Sequence, residues 1–207
     1  MRKFVSLRGL QPVAHGYTRL VYIHPEDAGF LVKVLNPEFL ARRRKRGPGF
    51  RPFKRARTNS VFLREIQEQL VLLARDERID EFMPRIVGFC DTDRGVGMIV
   101  EAVRATDGGL APSLKQLIRQ GGFDEAARRN LDRFCEMLLD SDIVLTTLTM
   151  HNLVYGAAGE GERRFMLIDG FGNTQLIGWK GLSRSVNLRD KRRLIERMRR
   201  NVQQLTR

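Results

Sequence analysis

Apolar and polar residues change their rhythm along this chain, and each change predicts a different kind of element. Between Ser6 and Leu35 the apolar residues fall in short β-type runs, Arg19-Leu20-Val21-Tyr22-Ile23 and Phe30-Leu31-Val32-Lys33-Val34-Leu35, separated by the turn-forming His24-Pro25-Glu26-Asp27-Ala28-Gly29. A hairpin is the simplest account. Further on, Phe62, Ile66, Leu70 and Leu73 recur at i, i+4, i+8 and i+11, predicting one apolar helix face with Glu65 at its margin and Thr58, Asn59 or Ser60 as its cap. Residues 84–90 and 97–103 read as two more strands around a polar turn, completing a five-stranded sheet. From residue 113 the helical period returns, first through Leu114, Leu117 and Ile118, then over residues 123–139 with Leu131, Phe134, Cys135, Leu138 and Leu139 inward. Short strands follow at 153–156 and 164–168, and residues 188–204 form a basic helix with Leu194, Ile195, Met198 and Val202 as a narrow apolar stripe.

Charge alters this picture locally. The net +13 is concentrated in residues 42–57, with nine basic residues and no acid, and in residues 180–207, with ten basic residues and two acids. These two segments carry +9 and +8, which leaves −4 on the rest. Gly47-Pro48-Gly49 and Arg51-Pro52 disfavour regular structure in residues 41–58, so an extended or disordered insertion is expected there. Both segments read either as solvated charge or as a surface for an anionic partner, whether a protein, a nucleic acid or an anionic surface such as lipid head groups. Only Phe50 and Phe53 interleave the basic residues of the insertion, a weak signal for base stacking.

At 207 residues and 42% hydrophobic content the chain has enough apolar surface for one domain or two small lobes. Cys90 and Cys135 are far apart and show no CxxC spacing, against a disulfide framework or zinc site. No apolar run is long enough for a signal peptide or a membrane span, so a cytoplasmic protein is expected.

Three motifs carry chemistry. Phe165-Met166-Leu167-Ile168-Asp169-Gly170-Phe171-Gly172 is an apolar strand that delivers one acid into a glycine-flanked turn; Ile143 to Tyr155 is a loop entering a short strand through Asn152; and Lys33 sits inside a β-run. Their order resembles the phosphate-binding lysine, metal-binding asparagine and metal-binding aspartate of protein kinases. With Gly16, Arg19, Val21-Tyr22, His24-Pro25-Glu26-Asp27, Leu31-Val32-Lys33-Val34, Arg64-Glu65, Gly95-Val96-Gly97-Met98-Ile99-Val100-Glu101-Ala102-Val103, Asn152-Leu153-Val154-Tyr155 and Leu167-Ile168-Asp169-Gly170-Phe171-Gly172, the chain resembles the YrbL family of PhoP regulatory network proteins, within the protein-kinase-like superfamily. The match spans about residues 13–185.

The resemblance implies an α+β, small bilobal protein-kinase-like fold: an N-lobe over residues 1–103, with an antiparallel sheet, one helix and a basic insertion at 41–58, and a reduced, mostly helical C-lobe over 104–207. It implies ATP and Mg²⁺ as cofactors. Lys33 would meet nucleotide phosphates and a helix carboxylate, for which Glu65 is the first choice and Glu68 the second. Asn152 and Asp169 would hold Mg²⁺, and backbone groups of Glu101 and Val103 would meet an adenine edge. The phosphate-covering turn carries the single glycine Gly16; His15 beside it is either a phosphate donor or an exposed turn residue. His24 reads as turn structure and His151 as a loop residue near the metal site.

One departure bears on activity. Where a kinase catalytic loop has its aspartate base, five residues before the asparagine, this chain has Thr147. General acid–base help is worth roughly 10²–10⁴ in rate, so the substitution implies a regulatory pseudokinase or a slow, atypical phosphotransferase. Asp142 is a candidate substitute through water. After Asp169 only 38 residues remain and no Ala-Pro-Glu triplet occurs, so docking of a large protein substrate is not expected. The alternative is a basic module that uses this scaffold to grip nucleic acid or another anionic partner.

Overall fold

The computed structural model describes residues 3–45, 60–75, 78, 81–159, 161–172 and 183–206. They form two compact units, Met1–Leu63 with Arg85–Ala102, and Arg64–Pro84 with Val103–Arg207. The architecture is α+β, with the sheet-rich part N-terminal and most helices after it.

The first unit contains a six-stranded sheet ordered β1-β5-β6-β4-β3-β2. Its strands are β1 (Phe4–Val5), β2 (Ala14–His15), β3 (Arg19–Ile23), β4 (Phe30–Leu35), β5 (Ile86–Thr92) and β6 (Gly95–Glu101). The expected hairpin is β3–β4, antiparallel, with Leu20 opposite Val34 and Tyr22 opposite Val32. Strand residues alternate faces, so these four side chains point one way and join Val5, Leu7 and Cys90 in a core. Lys33 has the opposite parity and is flanked by Val21 and Met98 on the neighbouring strands.

Three expectations are corrected here. The sheet has six strands rather than five, because β1 pairs parallel with β5 through only two residues, too few for alternation to reveal. A helix, α1 (Pro37–Lys45), runs into the segment expected to lack regular structure. Asn36 starts it by accepting from the Glu38 amide at 3.0 Å, and Pro37 at the first position has no N–H to leave unsatisfied. Residues 46–58 of the expected insertion, and with them the cap candidates Thr58 and Asn59, lie outside the described residues.

The third correction concerns α2 (Ser60–Arg75). Of the residues assigned to its apolar face, Phe62 is buried and Ile66 half-buried, but Leu70 and Leu73 are 62% and 48% exposed, and Glu65, Glu68, Gln69 and Leu72 are buried in their stead. Counting apolar residues picks the wrong face where polar side chains are buried for their hydrogen bonds: Gln69 Nε2 donates to the Pro84 carbonyl at 3.5 Å, and Glu68 accepts a loop amide described below.

The second unit contains a three-stranded sheet, β7 (Val103–Arg104), β8 (Leu153–Ala158) and β9 (Arg164–Leu167), in sequence order. Three helices follow the predicted period: α3 (Leu114–Arg119), α4 (Glu125–Asp140) and α5 (Arg184–Leu205). Ser113 and Gln116 form a capping box on α3, and Asp124 caps α4 by accepting from the Ala127 amide at 2.8 Å. Leu114, Phe134, Leu138, Leu153, Phe165 and Met198 lie in one core cluster, so the predicted inner faces of all three helices are buried together with the β8–β9 hairpin. Both cysteines are free and buried, and burial raises their thiol pKa. Among the described residues no helix is long and apolar enough to cross a membrane.

Candidate functional site

The second unit gathers the chemistry-bearing loop residues around one glycine. Because β8 and β9 pair antiparallel with Leu153 opposite Leu167, the residues just before β8 and just after β9 emerge at the same end. The Ile168 amide donates to the Asn152 carbonyl at 2.9 Å, and the Asn152 amide closes a turn on the Thr149 carbonyl at 3.0 Å. Gly170 then turns the chain with φ +93, a conformation open to glycine and strained for other residues. Its carbonyl accepts from the Thr146 and Thr147 amides at 2.8 and 3.0 Å. A Cβ at this position would lie 2.4 Å from the Thr147 carbonyl oxygen and 3.0 Å from Asn152 Nδ2. Thr147, Asn152 and Asp169 are thereby brought together around Gly170. Asp169 Oδ1 accepts from the Gly170 amide at 2.6 Å, which fixes the direction of its half-buried carboxylate.

The two loop segments are also zipped further along. The Gly172 amide donates to the Val144 carbonyl at 2.9 Å, and Thr146 Oγ1 donates to the Gly172 carbonyl at 2.6 Å. Residues 141–144, which lead into this loop, are held from two helices. On α2, Glu68 Oε1 accepts from the Val144 amide at 2.5 Å. On α5, Asn187 Nδ2 donates to the Asp142 and Ile143 carbonyls at 3.4 and 3.1 Å, and Lys191 Nζ donates to the Ser141 carbonyl.

Burial dominates the electrostatics of this clamp. Desolvation raises the Glu68 pKa, against the lowering effect of the Val144 hydrogen bond and the Lys191 charge. Desolvation likewise depresses the Lys191 amine to about 8, against the favourable fields of Asp142 and Glu68. Glu68, the second choice as partner of Lys33, is thus engaged with Val144 and Lys191. Asp142, the candidate substitute base, is ion-paired with Arg75 at 2.9 Å.

The other expected site residues are placed as follows. Lys33 is buried at the middle of β4, and Glu65 is buried on α2. His15 is exposed at the end of β2, and the Gly16 amide donates to the Arg19 carbonyl at 2.8 Å while its own carbonyl accepts from Asn36 Nδ2 at 3.0 Å. The Glu101 carboxylate binds Arg85 at 3.1 Å and its amide donates to the Arg85 carbonyl at 2.9 Å. The Val103 carbonyl accepts from the Ala111 amide at 2.9 Å. His24 Nδ1 accepts from the Glu26 amide at 3.2 Å, the turn role expected of it, and His151 Nε2 lies 3.4 Å from Lys115 Nζ. Among the described residues no cluster of three or more His, Cys, Asp or Glu side chains could hold a metal ion.

Sequence reasoning missed Asn187 and Lys191. A signal was present: they precede Ile195, Met198 and Val202 at helical spacing, and polar residues that continue an apolar stripe are candidates for buried hydrogen-bonding roles.

Comparison with known proteins agrees with the ordered motifs. Residues 5–203 match the family described as PhoP regulatory network protein YrbL. The chain is 26% identical over 199 residues to "Uncharacterized protein YrbL" of Escherichia coli (strain K12), an alignment covering 93% of this chain and 85% of that protein. The protein of the same name from Shigella flexneri matches with the same identity and coverage. The chain belongs to the PhoP regulatory network protein YrbL family.

Proposed function

We propose that this protein binds ATP with Mg²⁺ through Lys33, Glu65, Asn152 and Asp169, and acts as a regulatory pseudokinase or a slow phosphotransferase of the protein-kinase-like type. The observation that carries the reading is the meeting of Thr147, Asn152 and Asp169 around Gly170. Asp169 offers a carboxylate and Asn152 a neutral amide oxygen, a hard donor set suited to Mg²⁺, which in this role neutralises phosphate charge. Lys33, a buried lysine in the middle of β4, is suited to a phosphate. A threonine hydroxyl at position 147 stays neutral and takes no proton as a carboxylate does. Phosphoryl transfer depends mainly on positioning and electrostatics, so the missing base slows the reaction without abolishing it.

Thermal-shift titration with ATP, ADP and Mg²⁺ tests this reading. At a ligand concentration one hundred times Kd the native state gains about 2.7 kcal/mol, or roughly 5–10 °C in Tm for a chain of this size. Lys33→Ala and Asp169→Ala should each remove most of the shift. No shift in the wild type at saturating Mg-ATP would end the proposal.

A further inference from the structure

The clearest unassigned surface is the outer side of α5. Its inner side is buried through Asn187, Lys191, Ile195, Met198 and Val202. On the other side Arg189, Arg192, Arg193, Arg197 and Arg200 are all exposed. At about 100° per residue these five fall within one arc of roughly 140°, with Glu196 as the acid among them. We propose that this face binds the phosphodiester backbone of a nucleic acid.

Three observations support that partner. Three exposed arginines on the helices of this unit meet acids: Arg129 pairs with Glu125 at 3.5 Å, Arg133 with Glu81 at 3.7 Å, and Arg199 on α5 with Asp132 at 2.7 Å. None of the five outer arginines makes an ion pair with a described carboxylate. Like charges three and four residues apart repel along a helix, so this face costs helix stability that a polyanion would recover. Every exposed basic residue of α5 is an arginine, while its one lysine is buried. Guanidinium forks bind phosphate oxygens in a bidentate way and also stack on bases, which an ammonium does not do.

The third observation separates nucleic acid from membrane. A helix that lies on a bilayer turns an apolar face to the lipid. Here the apolar stripe is occupied within the protein core, and the exposed large apolar residues of α5 are Val186 and Leu205, one near each end. The arginine face runs from position 189 to 200, about 16 Å at 1.5 Å per residue. A duplex presents one phosphate per about 3.4 Å of axis on each strand, so about four contacts fit along it.

The test uses the whole chain and fluorescence anisotropy with a labelled 20-nucleotide single-stranded RNA, a labelled 20-base-pair DNA duplex, and vesicles containing phosphatidylserine. With about four phosphates neutralised, log Kobs should fall against log salt with a slope of about −3 for the single strand and −3.6 for the duplex, a loss of roughly 50- to 150-fold between 50 and 200 mM salt. The tighter of the two nucleic-acid arms identifies the form recognised. Arg189→Gln/Arg193→Gln/Arg197→Gln changes only exposed side chains, and circular dichroism checks its fold. The slope should drop by about one for each arginine lost. Arg129→Gln/Arg133→Gln on α4 should leave binding unchanged. The proposal fails if neither nucleic acid binds, if vesicles bind and nucleic acids do not, or if the triple variant keeps wild-type affinity and slope. It stands apart from nucleotide binding: Asp169→Ala should bind the RNA and DNA as the wild type does.

Discussion

Replacing Lys191 with methionine should produce a stability difference that depends on pH in one particular window. Lys191 is 2% exposed, and burial holds its amine at about 8 in the folded chain against 10.5 for an ordinary lysine. Between those values the unfolded chain holds a proton that the folded chain has released, so folded stability rises with pH. Below about 8 both states are protonated and the cost of burying the charge is present in full. The whole interval corresponds to about 3 kcal/mol at 1.36 kcal/mol per pH unit. Even buried charges respond to an effective dielectric well above that of a dry interior, which brings the expected gain to about 2 kcal/mol.

Lys191→Met keeps the aliphatic length and loses the amine, so it lacks this term. It also leaves the Ser141 carbonyl without its donor, a constant cost of about 1–2 kcal/mol. Urea unfolding followed by far-ultraviolet circular dichroism at pH 7.5, 8.5, 9.5 and 10.5 measures both chains. Wild-type stability minus variant stability should grow by about 2 kcal/mol from the first pH to the last. Subtraction removes every group the two chains share. A flat difference would refute the claim that desolvation outweighs the Asp142 and Glu68 fields at this amine.

Three more outcomes are expected. Relative to wild type, Glu68→Gln should gain stability as pH rises above 4.5, because burial raises the Glu68 pKa and the folded wild type must then ionise a group that resists it; paired urea titrations from pH 4.5 to 7 check this, and an unchanged difference would contradict it. Gly170→Ala should cost about 3 kcal/mol, from a positive φ and a Cβ 2.4 Å from the Thr147 carbonyl oxygen, seen as a Tm lower by roughly 6–12 °C; a shift under 2 °C would mean the loop gives way freely. Thr147→Asp should raise ATP turnover by about 10²-fold or more if position 147 faces the acceptor, and unaltered turnover in a variant that still binds Mg-ATP would remove that assignment.

What the sequence made legible divides by mechanism. The β3–β4 hairpin, the β8–β9 pair and the inner faces of α3, α4 and α5 were readable because each buries apolar side chains at a regular period, and burial of apolar area drives those choices. The convergence of Asn152 and Asp169 was readable for a related reason: an apolar hairpin fixes which loop ends meet, and Gly170 supplies the turn. Strand β1 and helix α1 were not, since one is two residues long and the other rests on a cap and a proline rather than on a face. The α2 face failed differently. Leu63, Leu70 and Leu73 face solvent while Glu65, Glu68 and Gln69 are buried, so the helix is oriented by what its polar side chains bind. A carboxylate taken out of water costs several kcal/mol unless a donor replaces the lost hydration, and for Glu68 the donor is an amide seventy-six residues further along the chain. No local pattern encodes so distant a partner. The residues hardest to read, Glu68, Asn187 and Lys191, are therefore the ones that tie separate stretches of the chain to the loop before Thr147, and changes at them should act on that loop before they act on the core.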